Sequence, residues 1–493
     1  MRKRHGPMRT DTMRHSMNAG KESAVLQFIR DYRSLASQLG RVQWRFVFEA
    51  GGARKNAPAK HLNPICGAAA AQMASYQVAE QINGWLSNCA NEFSSAVQHS
   101  KLAAATKYQL HVLNRASAVY RPDIFVMKDG TKIAPETRRL ARNIMRHVMG
   151  KRRRPNLSRI SPRLDRRVAT ISKPRNANFA DLWVRLKNPG RDAIAIPLQS
   201  NHHFVQRGGE LCPVVQLCTN EAGRITVRLV QDMAESFTAS RAAYEPKIQN
   251  LGMDFGLRTL FATSEGDLLG RDWLTRLSRY DAKLQPIAKH MQRIGKKPRD
   301  SKRFRALVDD IRGFVKTEVN RVLNHLVTMA RPANLVLEKL DFRNQDLGRR
   351  LNRMLANCGR AVIKAKLRDL EQRFGIISEE VNPAFSSQQC EACGFVSKNN
   401  RRQDKFACLW CGHTAHADVH GARNIRSRRS GSPGALLART KMGALGELAC
   451  WFGERMKTQA NGVRNPSVGR GDVWRRSAFA QRLKADQIAW ALA

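Results

Sequence analysis

"LGMDFGLRTLFATSEGDLLG", residues 251–270, is an apolar run that ends on an acid, turns, and comes back. Leu251 to Asp254 reads as a strand, Thr259–Thr263 as its return, and the Ser-Glu-Gly-Asp turn leads into a third short strand. Working outward, Ile311, Val315, Val322, Leu326 and Met329 recur at helical spacing. "NLVLEKL" (334–340) is a brief apolar run that closes on Glu338. A second helix carries Leu351, Leu355, Cys358 and Val362, then Ile363, Leu367, Leu370 and Phe374. "IISEEV" (376–381) is strand-like, and "HADVHGARNIRSR" (416–428) opens a last helix near Asp418.

Three strands, helix, strand, helix, strand, helix is the order of an RNase H-like fold. Between its last strand and last helix stands "CEACGFVSKNNRRQDKFACLWCGH", from Cys390 to His413. Cys390-x2-Cys393 and Cys408-x2-Cys411 have the spacing of a zinc ribbon, in which four thiolates close a tetrahedral structural site around Zn²⁺. The bland reading is four unliganded thiols, but the paired spacing argues against it. Lys398, Arg401, Arg402 and Lys405 lie between the knuckles, with Phe406 and Trp410 nearby, a surface suited to a nucleic-acid strand. The six other cysteines, Cys66, Cys89, Cys212, Cys218, Cys358 and Cys450, are scattered, as expected of small hydrophobes in a reducing cytoplasm.

Charge names the class of partner. The chain has 493 residues with 86 Lys+Arg against 40 Asp+Glu, a formal net charge of +46. That excess implies a polyanion, and the nucleic-acid backbone is the usual one. No run is long and apolar enough to span a bilayer, so the expectation is a cytoplasmic, nucleoid-associated protein with no membrane partner.

The first half is read by period. Residues 1–20 are basic without the apolar core of a signal peptide and are expected to be a mobile arm. Val42, Trp44, Phe46 and Phe48 alternate and predict one early strand. Residues 66–120 are Ala-rich and helical in period. Lys151, Arg152, Arg153 and Arg154 begin a Pro-punctuated basic segment that is either a solvated charge run or a surface laid on RNA. From Phe179 to Val230 the period becomes two, predicting a small antiparallel barrel. The Gly-, Arg- and Ser-rich region from Gly431 onward offers little for a core.

Asp254, Glu338 and Asp418 are the acids that such a sheet would gather. Carboxylate oxygens suit Mg²⁺, and a pair of such ions about 4 Å apart would serve phosphodiester hydrolysis. Taken singly, each could as well be a surface or capping residue; Asp418 would make a good N-cap.

With "GMDFGLRTLFA", "LVLEKL", "NPAFSSQQCEACG" and "CLWCGHTAHADVHGARNI" in view, residues 250–430 resemble the RuvC and zinc-ribbon halves of the TnpB transposon-encoded nucleases and the compact type V CRISPR effectors. The resemblance implies an RNA-guided DNA endonuclease with guide RNA and double-stranded target DNA as partners and Mg²⁺ and Zn²⁺ as cofactors. It places the catalytic, Mg²⁺-holding acids on Asp254, Glu338 and Asp418, and the zinc ligands on Cys390, Cys393, Cys408 and Cys411. It implies a multidomain α+β chain: arm (1–20), first part of a wedge domain (21–65), helical recognition domain (66–150), basic linker (151–178), wedge β-barrel (179–248), RuvC domain (249–385), zinc ribbon (386–414), final RuvC helix (415–430) and tail (431–493). The family usually has Asn-Ala-Ala shortly after the last acid, where this chain has His420, Gly421 and Ala422. That departure keeps a second reading open, an RNA-guided DNA-binding protein with little or no cleavage. Monomer and homodimer stay equally open.

Overall fold

A computed structural model describes residues 6–456 apart from 57–59, 122–124, 174–178, 189, 191, 221–222, 257–258, 271, 339–347 and 439, with the helix backbone of 457–459, residues 473 and 477–479, and no side chains for 356–358. The arm's first five residues, the Cys358 side chain, the end of "NLVLEKL" and about half of the expected tail therefore lie outside the described residues. The chain forms two compact units, Met1–Ser236 and Phe237–Ala493.

The first unit contains β1 (Met8–His15), α1 (Ala19–Ala50), α2 (Ala68–Gln98), α3 (Ala104–Arg115), α4 (Pro135–Lys151), β2 (Arg163–Asp165), β3 (Ala169–Ser172), β4 (Leu182–Leu186), β5 (Ile194–Gln199), α5 (His202–Arg207), β6 (Glu210–Thr219) and β7 (Ile225–Asp232). Its seven strands run β2-β6-β7-β1-β5-β4-β3. The two ends of that order are neighbours in the chain, so the sheet curls to a near-barrel. Alternating side chains such as Leu182, Val184 and Leu186 fill it, against Val25, Phe28, Ile29 and Tyr32 of α1. The far half of α2 packs with α3 and α4 through Trp85, Phe93, Leu113 and Met145.

Two expectations fail here. The early strand is β1, inside the supposed arm, and it sits mid-sheet between β7 and β5. Its inward position is held by Asp11, paired with Arg207 at 2.8 Å, and a buried acid hides the alternation of a strand. Residues 42–48 are instead the end of α1. Trp44 meets Trp85 edge-on at 5.5 Å, Phe48 meets Tyr120 at 5.3 Å, and Phe46 lies under Arg54, the spread of directions a helix produces. A seven-residue window of alternation was too short to outweigh the 3.6-residue period of Val25, Phe28, Ile29, Tyr32, Leu35 and Leu39 upstream.

In the second unit, after α6 (Ala234–Ala242), come β8 (Ile248–Asp254), β9 (Phe261–Thr263), β10 (Leu268–Leu269), α7 (Trp273–Arg293), α8 (Lys302–Ala330), β11 (Pro332–Glu338), α9 (Arg349–Phe374), β12 (Ile377–Val381), β13 (Arg401–Arg402), β14 (Lys405–Ala407), β15 (Thr414–His416), α10 (Ala417–Ser427) and α11 (Lys441–Gln459). One sheet has the order β10-β9-β8-β11-β12, with β8, β11 and β12 parallel; β13-β14-β15 form a small separate sheet. The helix α7 was not anticipated, because Pro286 within it reads as a breaker. Met329 is 65% exposed and so is not part of the apolar stripe of α8. The region from Gly431 is not without a core: Leu445, Leu448 and Phe452 of α11 are buried with Cys390, Cys393 and Phe395.

Side-chain parity divides the faces of the larger sheet. Leu251 and Met253 of β8, with Leu335 and Leu337 of β11, point into the core of α7, α8 and α9. Gly252 and Val336 point the other way, where α10 lies: a Cβ on Gly252 would strike the Ala422 carbonyl, and Val336 packs on Ile425.

Candidate functional site

The same parity sets Asp254 two residues beyond Gly252, and Glu338 two beyond Val336, on the face covered by α10. Parallel register pairs Leu337 with Met253, so the next step on each strand puts the two acids side by side. The two carboxyl groups adjoin, and a proton held by one would let it donate to the other. Burial, then the nearby Asp418 for Asp254, and burial, then Asp254 itself for Glu338, push both well above the usual carboxylate range. Asp418 lies in the first turn of α10, favourable ground for an anion, with its side chain 15% exposed. The absence of a Cβ on Gly421 leaves room for Asp254, whose Oδ2 would lie 2.8 Å from one.

Two cations face this cluster that the sequence reading either missed or assigned elsewhere. Arg401 Nη2 donates to Asp418 Oδ1 at 2.7 Å, so it is turned toward the acids and not freely presented to a strand of nucleic acid. Arg428 is buried, donates to the Asn382 carbonyl and to Gln389 Oε1, and draws Glu338 back down; burial lowers its own affinity for a proton to about 10. Its only signal in the sequence is helical position, about two turns after Gly421, amid a run of arginines. Among the described residues Asp254, Glu338 and Asp418 do not close into a set with ligand atoms all within 4.8 Å, whereas two other groups do.

One of those groups is the four cysteines, three of them buried. Cys390 Sγ lies 3.7 Å from Cys411 Sγ, and Cys393 Sγ 3.6 Å from Cys408 Sγ. A tetrahedron with Zn–S bonds of about 2.3 Å has sulfur edges of about 3.8 Å, so the donors fit a metal ion. Asn400 joins the knuckles, donating to the Gln388 and Phe395 carbonyls and accepting from the Leu409 amide. Phe395 stacks on Trp410 at 5.2 Å and α11 covers both through Phe452. Trp410 is thus part of the packing as well as a neighbour of the basic surface.

A family model described as the Cas12f1-like TNB domain matches residues 361–425, from mid-α9 through the cysteine module to α10. A protein of Escherichia coli K12 named as an RNA-guided DNA endonuclease, InsQ, is 30% identical over 204 residues, 36% of this chain and 49% of that protein. The CRISPR-associated endodeoxyribonuclease Cas12f1 of Sulfoacidibacillus thermotolerans is 32% identical over 122 residues, 24% of this chain and 28% of that protein. These matches support a likeness of this chain to the TnpB and compact type V effector family. The chain spans about half or less of the length of these two relatives. The crystal structure of the AacC2c1–sgRNA binary complex aligns over 85% of this chain and 89% of that one at 8% identity, with a TM-score of 0.44, too loose a likeness to carry detail.

The basic residues of interest fall into two sorts. Lys151, Arg153, Lys398, Arg402 and Lys405 are exposed. Arg152 is paired with Glu92 at 2.6 Å, and Arg154 lies over the Trp44 ring at 4.9 Å. Among the described residues no helix is long and apolar enough to cross a membrane.

Proposed function

We propose that this chain is an RNA-guided DNA endonuclease whose second unit is an RNase H-like, RuvC-type domain with an inserted zinc ribbon. Guide pairing would read the target, and the protein would supply basic surface and read a short flanking motif. The observation that carries the reading is the juxtaposition of Asp254 and Glu338 at the ends of two parallel strands, with Asp418 brought over them by α10.

Asp254, Glu338 and Asp418 would hold Mg²⁺. The fit rests on the donor set, which is oxygen throughout, and on two buried carboxyls whose raised proton affinity marks negative charge short of a counter-cation. When bound, Mg²⁺ supplies Lewis-acid stabilisation of charge on a phosphodiester and a more acidic water. The residues themselves do the rest. Asp254 and Glu338 give up their shared proton, Arg428 offsets the charge then buried on Glu338, and Arg401 orients Asp418. The four cysteines would hold Zn²⁺ without an open position, keeping the ribbon and the start of α10 in register.

A second reading, guided DNA binding with little cleavage, draws on Asp418: its Oδ1 is taken by Arg401, and the three acids do not close within 4.8 Å as a set. One assay separates the readings. Guide-loaded wild type and Asp254→Ala are compared for cleavage and binding in Mg²⁺. The nuclease reading expects cleavage to fall by 10³-fold or more (on the order of 4 kcal/mol) with binding retained, since affinity comes from pairing and phosphate contacts. Equal cleavage by both proteins rejects the acid assignment; binding by both with cleavage by neither selects the second reading.

A further inference from the structure

The second group of close ligand atoms is Glu391, His413 and His420, all within 4.8 Å of one another. Glu391 follows the first cysteine, His413 follows the last knuckle, and His420 lies on α10, so three separate pieces of chain converge. His413 Nε2 lies 3.0 Å from Glu391 Oε1, and His420 Nδ1 lies 3.7 Å from the same oxygen.

His420 is the informative member. It is 0% exposed, and its ring is stacked on Phe406 with centroids 3.6 Å apart. Its Nε2 lies 2.7 Å from the Gln389 carbonyl, which can only accept, so Nε2 carries the hydrogen. In the neutral ring Nδ1 is then a bare lone pair. That atom is buried, has no hydrogen-bond partner, and is aimed at a carboxylate too far away to bond it directly. Two acceptors do not face each other in a buried site without something positive between them. A histidine that donates one nitrogen to a backbone carbonyl and turns the other toward a carboxylate and a second imidazole has the outer-sphere arrangement of a metal ligand.

We propose that Glu391, His413 and His420 form a second metal site, separate from the four cysteines, for a divalent transition ion of the zinc type. Two imidazoles and one carboxylate select such an ion over Mg²⁺. The partial exposure of Glu391 and His413, at 24% and 29%, leaves a side open for entry and for a water as fourth ligand. Arg423 Nη1 also donates to Glu391 Oε1, at 3.1 Å, and its Nε to the Ser264 carbonyl at 3.2 Å. A carboxylate oxygen has lone pairs for both an ion and this donor, so Arg423 would orient the ligand. The ion would staple the ribbon to α10 two residues past Asp418, and the family's usual Asn at position 420 could not supply the imidazole.

The test uses the untagged full-length chain, zinc-loaded and dialysed, then reconstituted with Co²⁺ alone as a spectroscopic probe. Wild type should hold about two equivalents of zinc, and His413→Asn about one. In the Co²⁺ protein, sulfur-to-cobalt charge transfer reports the cysteine site, and weak visible bands without it report the nitrogen–oxygen site. His413→Asn and the shape-preserving Glu391→Gln should each lose the weak bands and keep the sulfur transition; Cys408→Ser should lose the sulfur transition. Failure of the cysteine site would remove only that transition and so is distinguishable. Wild type lacking a non-thiolate equivalent, or both substitutions leaving that equivalent in place, overturns the proposal in favour of an imidazolium–carboxylate ion pair.

Discussion

Asp254 and Glu338 are the residues on which the proposed chemistry turns, and their environment makes them report on pH. Both are raised by burial and by mutual proximity, so the folded chain keeps a proton that the unfolded chain has released. Where the folded state binds more protons, stability falls as pH rises. In magnesium-free buffer the second unit should therefore lose stability from the ordinary carboxylate range up through neutrality, by at most about 1.4 kcal/mol per pH unit for the shared proton. Asp254→Asn should flatten the slope. Chemical unfolding at a series of pH values measures both, and a slope that is unchanged in the variant would remove the buried pair as its source.

At the scale of elements, the acidic cluster depends on how closely α10 lies on β8. A Cβ at position 252 would meet the Ala422 carbonyl, and the Arg426 amide nitrogen at 2.8 Å, groups of a helix backbone that cannot simply swing aside. Gly252→Ala should cost about 2 kcal/mol or more in unfolding experiments, and should lower cleavage beyond what the stability loss explains, because Asp418 rides on α10. A full-activity, full-stability variant would show that the helix has slack. The cysteine module makes a second element-scale prediction. Cys408→Ser should reduce the zinc bound by the thiolates and loosen α11, whose Phe452 packs on Phe395 and Trp410. Limited proteolysis should then cut within 386–456 faster than in wild type. Intact protection and unchanged zinc would refute the structural role.

On the scale of the whole molecule, a net charge of +46 must be met by a polyanion. The protein purified at low salt should carry nucleic acid, and sequencing should find one enriched small RNA. A random cellular mixture would count against guidance while leaving phosphate affinity in place. Association with that RNA should weaken log-linearly with salt, as counterion release requires.

Much of the site could be read in the sequence because its signals are local. Paired CxxC spacing specifies four thiolates whatever surrounds it, and the apolar runs ending at Asp254 and Glu338 declare strands whose last residue is an acid. Other features were legible only in part or not at all. Alternation at 42–48 looked like a strand because helix and strand periods coincide over so short a window, while the true early strand hid behind the buried Asp11. The α11 helix read as tail, since its burial depends on a ribbon it packs against and not on its own composition. Arg401 on Asp418, Arg428 behind Glu338 and the convergence of Glu391, His413 and His420 join residues far apart in the chain. Residue types and spacing determine what a segment can ligate or bury. Which segments meet is decided by strand register and helix packing, and those are properties of the assembled fold.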